Sequence, residues 1–167
     1  MRDKRGFSLI ELIVVIAIIA VLSTMAISGL TSLSKWNVNK CASALDGGLD
    51  KAKVTALSKS DASFKITKSG SEYHMIITSG GDTTEEENIV IAKSPVTISY
   101  VTTGNETKEI SETETLTLKF DRSSGAFKPI GQDSSDKDIY CSGIQITRGT
   151  SVKTIELYYT TGKHKVQ

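Results

Sequence analysis

The feature that most constrains this chain is where its apolar residues sit. After Arg2, Lys4, Arg5 and Gly6 the sequence reads FSLIELIVVIAIIAVLSTMAISGL from Phe7 to Leu30, with an unbroken apolar run over Leu12–Leu22. From Phe7 to Ile27 only Ser8, Glu11, Ser23 and Thr24 are polar. A helix of about 20 mostly apolar residues matches a hydrocarbon layer about 30 Å thick. The spacing therefore predicts a transmembrane helix over 7–30, and the basic residues before it predict a cytoplasmic N-terminus with the remainder outside. A secretory signal peptide fits less well, because the stretch is long and no Ala-x-Ala cleavage site follows. Glu11 fits neither a signal peptide nor a plain anchor. A carboxylate inside a membrane costs roughly 3 kcal/mol and normally has a partner, yet the nearest basic side chains all precede Gly6.

The rest of the chain is electrically balanced. Its 167 residues carry 20 Lys+Arg and 19 Asp+Glu, and from residue 31 onward the count is 17 of each. No global excess of positive charge exists to gather phosphates. Residues 31–60 contain no proline, and Leu33, Trp36 or Asn37, Cys41, Leu45, Leu49, Ala52 and Ala56 recur at steps of about three to four, the period of an amphipathic helix. A single rod of about 50 residues and 75–80 Å is expected, with Gly29, Gly47 and Gly48 as weak points. From residue 61 the period falls to two. Seven segments, beginning with Phe64–Thr67 and ending with Thr154–Tyr159, read as strands separated by glycine turns. An antiparallel sheet over 61–167 would bury its apolar face on the helical stripe, giving an α+β fold.

The stretch K-R-G-F-S-L-I-E-L resembles the processing signal of type IV prepilins and type II secretion pseudopilins. The resemblance implies a leader of residues 1–6, cleavage by a prepilin peptidase between Gly6 and Phe7, and N-methylation of Phe7. It also implies that Glu11 meets the amino terminus of a neighbouring subunit during filament assembly, which supplies the missing counter-charge. The implied fold is the type IV pilin-like one, a long N-terminal helix on an antiparallel sheet. The implied partners are other pilin or pseudopilin subunits, an assembly platform membrane protein and, before assembly, the lipid bilayer. Further along, L-T-L-K-F-D-R-S-S-G-A-F, I-Q-I-T-R-G and I-E-L-Y-Y-T-T-G-K resemble the closing part of the GspH/FimT group of minor pseudopilins and minor pilins, on Phe120, Gly125, Gly162 and Lys163. A minor structural subunit, at the filament tip or in assembly initiation, is the function so implied. Some members of that group bind DNA through C-terminal basic residues, which marks Arg148, Lys153, Lys163 and Lys165 as the alternative contact set.

Other candidates are weaker. Cys41 and Cys141 would close a loop of about 100 residues if bridged, or stand as two buried thiols; their spacing leaves both readings open. Asp133, Asp136 and Asp138 do not follow the alternate-position pattern of a calcium loop. His74 and His164 share no ligand spacing, so no metal, cofactor or enzymatic activity is expected. Eight acidic residues lie between Asp82 and Glu114 against two lysines, which reads as a solvated edge hairpin or as a surface for a basic neighbour.

Overall fold

The computed structural model describes residues 9–58, 62–79 and 85–167. One helix, α1 (Leu9–Ser58), accounts for the first of these segments. Its continuity follows from the lack of proline and from tertiary contacts that hold its second half. Val38, Cys41, Ala42, Leu45, Leu49, Ala52 and Ala56 form the buried stripe, while Leu33 and Trp36 stay 55% and 60% exposed. The stripe therefore starts one turn later than the sequence period suggests, because the globular domain reaches back only as far as Val38.

Among the described residues eleven strands follow, and nine of them make two sheets where one was expected. Strands β1 (Ser63–Ser69), β2 (Glu72–Ser79), β3 (Glu85–Lys93) and β6 (Leu116–Lys119) form the first, in the order β3-β2-β1-β6. Strands β4 (Thr97–Thr102), β5 (Thr107–Glu109), β9 (Cys141–Arg148), β10 (Ser151–Tyr158) and β11 (Lys163–Val166) form the second, in the order β11-β10-β9-β4-β5. A two-rung hairpin of β7 (Gly131–Gln132) and β8 (Asp138–Ile139) stands apart. Every pairing is antiparallel. Alternation in the strands assigns the faces. Phe64, Ile66, Tyr73, Met75 and Ile77 point inward from the first sheet, and Ile98, Tyr100, Ile144, Ile146, Ile155 and Leu157 from the second. Both sheets touch α1, so one helical stripe closes a shared core.

Two of the helix glycines have different roles. A Cβ at Gly48 would lie 2.2 Å from Met75 Sδ and 3.1 Å from a Phe64 ring carbon, so this glycine permits the close approach of α1 to β1 and β2. At Gly47 a Cβ would meet nothing within 4 Å.

The expected membrane span is corrected. Among the described residues no helix is long and apolar enough to cross a membrane. A span needs about 20 mostly apolar residues, and within the described helix Glu11, Ser23 and Thr24 interrupt the apolar character. The transmembrane half of the helix and the single-pass topology expected from the sequence fall with it, while the α+β arrangement of helix on sheet stands.

Candidate functional site

The large apolar side chains in the first described part of α1 are exposed. Leu9, Ile10, Leu12, Ile13, Val14, Val15, Ile16, Ile18, Ile19, Val21 and Leu22 are all between 46% and 76% exposed. They occur on every face of the helix, so this is an apolar rod with no buried side, and not an amphipathic helix missing one partner. Glu11 lies in the first described turn of α1 and is exposed. Gly6 and Phe7, the expected cleavage and methylation positions, lie outside the described residues.

The two cysteines are free and buried. The structure thus holds them as thiols and not as a bridge; Cys141 Sγ donates to Gly143 O at 3.5 Å. Burial pushes both thiols up to about 12. Such groups stay protonated and unreactive near neutral pH.

Arg148, Lys153, Lys163 and Lys165, marked from the sequence as one basic set, are divided by the fold. Lys163 and Lys165 lie on the outer face of β11, opposite Tyr158 and Glu156. Lys153 shares the opposite face of β10 with Ile155 and Leu157 and sits beside Lys35 of the helix. Arg148, at the end of β9, borders a different depression with Asn37 and Lys40. The four do not make one patch.

The acidic segment after residue 84 is distributed over edges. Glu87 pairs with Lys51 of the helix. Glu112 accepts from Gly70 N at 3.1 Å, and Glu114 accepts from Tyr100 Oη at 2.5 Å. Burial first, and then that bond to Glu114, push the Tyr100 phenol up. Strand β5 is exposed throughout and forms the sheet edge, as a charged edge hairpin should. Asp133 accepts from Ser135 N at 2.7 Å and Lys137 N at 3.1 Å, which holds its carboxyl below the usual range. Its role is to build the β7–β8 turn. Among the described residues no group of three or more His, Cys, Asp and Glu is placed to hold a metal ion.

Contacts that the sequence reading missed fasten the C-terminal hairpin to the helix. The side chain of His164 is 7% exposed, with Nε2 3.1 Å from Asp46 Oδ1 and 3.7 Å from Asp50 Oδ1. Lys53 Nζ donates to Thr161 O at 3.0 Å and Gly162 O at 3.1 Å. Asp46, Asp50 and Lys53 are spaced four and three apart, so they line one side of α1. That spacing was the available signal. Gly162 and Gly125, the turn glycines of the C-terminal resemblance, meet here: both have positive φ, and a Cβ on Gly162 would lie 1.8 Å from Gly125 O.

Comparison with known families gives one match. Residues 1–27 match the prokaryotic N-terminal methylation motif, which is typical of type IV pilins and pseudopilins. The match takes in the first described part of α1 and does not single out the GspH/FimT group. No curated protein and no solved structure matches the chain. The motif implies processing by a prepilin peptidase. It is consistent with a structural, pilin-like role.

Proposed function

We propose that this chain is a minor pilin or pseudopilin, a structural subunit that enters a filament after leader removal and acts in assembly initiation or at the filament tip. The observation that carries the reading is the methylation motif at residues 1–27, within which the large apolar side chains of α1 from Leu9 to Leu22 are exposed. About eleven large apolar side chains left in water are strongly unfavourable at roughly 25 cal/mol per Å². Packing them against the rods of other subunits removes that cost. Glu11 then finds its counter-charge in the methylated amino terminus of the neighbouring chain, inside a dry contact where such pairing is strongest. An assembly platform membrane protein and other pilin-type subunits are the partners this role requires.

Mass spectrometry of the protein from its own cells tests the reading. The expected chain begins at Phe7 and carries an N-terminal methyl group; a chain that keeps residues 1–6 rules the proposal out. Glu11→Ala should be cleaved normally and yet be depleted from sheared filaments. Equal incorporation of Glu11→Ala and native chains would remove the pairing role from Glu11.

A further inference from the structure

The end of the globular domain from which the apolar rod emerges is ringed with cations that the chain contributes from four separate places. Lys35 and Lys40 come from α1, Lys93 from the end of β3, Arg148 from the end of β9, and Lys153 from β10. Two depressions flank the helix here. One, of about 290 Å³, is bordered by Asn37, Lys40, Lys93 and Arg148; the other, of about 340 Å³, is bordered by Lys35, Asn39, Thr150 and Lys153. Lys93 is paired with Glu72 at 2.5 Å. Lys35, Lys40, Arg148 and Lys153 have no ion pair among the described residues, and Lys40 rests over the Trp36 ring at 5.3 Å. In a chain with a formal net charge of +1, four cations left uncompensated at one end require negative charge elsewhere.

That charge is at the far end of the same sheet. The turn after β4 and the segment before β9 are joined by hydrogen bonds from Thr103 N to Tyr140 O at 2.9 Å and from Tyr140 N to Thr103 Oγ1 at 3.2 Å. Together with the β7–β8 hairpin they present Glu106, Asp133, Asp136 and Asp138, all exposed, against Lys137. Strand β9 runs from this lobe at Cys141 to the cationic collar at Arg148, so the two surfaces lie about 23 Å apart along the strand.

We propose that the basic collar at the helix exit docks the acidic lobe of a second copy of this chain, head to tail. The contact uses different patches on the two copies, and heterologous contacts of that kind propagate into open filaments when they do not close into rings. Complementary charge at the two ends sets direction and register, whereas the featureless apolar rod supplies adhesion without register. The proposal rests on the filament-subunit reading and adds to it the site through which globular domains meet.

The test is a pair of charge reversals in the full-length chain, with self-association followed by sedimentation in mild detergent at low and high salt. Native chains should associate at least about tenfold less tightly at high salt. R148E/K153E, which reverses the collar, and E106K/D138K, which reverses the lobe, should each lose self-association while keeping the native circular dichroism spectrum and Tm. Mixing the two variants should restore it, because each reversed patch then meets an opposite one. Association of either variant at native strength, or failure of the mixture to recover, overturns the head-to-tail contact and leaves the filament reading standing. Native chains that stay monomeric at every salt concentration overturn the head-to-tail contact, whereas the filament reading falls only if the cellular chain keeps residues 1–6.

Discussion

The two halves of α1 belong to one uninterrupted helix and behave as different materials. From Leu9 to Leu22 nearly every residue is apolar and nearly every one is exposed. From Val38 to Ala56 the composition is mixed and polar residues abound, yet Val38, Cys41, Leu45, Leu49 and Ala52 are at most 1% exposed. Hydrophobicity by itself therefore does not decide burial here. Periodicity does, because a stripe spaced three and four apart gives two sheets one face to close on. The rod has no such stripe, and its large apolar side chains stay exposed.

Three experiments break or sharpen that contrast. The largest effect is expected from Leu45→Ala, which empties a fully buried position and should cost about 2–5 kcal/mol of stability, read as a lower urea midpoint. The matching change in the rod, Ile18→Ala, removes a side chain that is 54% exposed and should leave the midpoint within about 0.5 kcal/mol. Equal losses at the two sites would mean that the rod folds back on the domain. Next comes Gly48→Ala, where the new Cβ presses on Met75 and Phe64 and should cost about 1–3 kcal/mol. The same substitution at Gly47, facing open space, should be neutral or stabilising through better helix propensity. A smaller effect concerns pH. Both thiols are raised in the folded state to about 12 against about 8.5 in an unfolded chain. Their contribution is thus whole below pH 8.5 or so and declines as pH climbs towards 12. Iodoacetamide at pH 8 should label Cys41 and Cys141 only after denaturation. Rapid labelling of the native chain would show that the seam between helix and sheets opens.

Much of the fold is legible in the residues. The strand segments found by alternation, such as Tyr73–Ile77, Ile98–Tyr100 and Ile155–Leu157, are strands, and the helical stripe from Cys41 to Ala56 is buried. The division into two sheets was not legible. Period-two alternation says which face of a strand is apolar and nothing about which strand lies beside it. The membrane span expected over residues 7–30 is corrected, since among the described residues no helix is long and apolar enough to cross a membrane. The places of the four basic residues were not legible either: Arg148 and Lys153 flank the helix, whereas Lys163 and Lys165 lie on the outer face of β11, because a strand turns successive side chains to opposite faces.

The sequence by itself determined the local and periodic features. These are the methylation motif, the apolar rod with Glu11 near its start, the stripe of the second helical half and the alternation of the strands, because each depends on neighbours a few positions away. Only the tertiary structure decided that Gly48 lets helix and sheet approach closely, that His164 reaches Asp46, and that Lys35, Lys40, Arg148 and Lys153 stand around one exit. Those contacts join residues up to 118 positions apart. Chain connectivity exerts no bias at that range, so they form only where packing of the shared core brings the elements together.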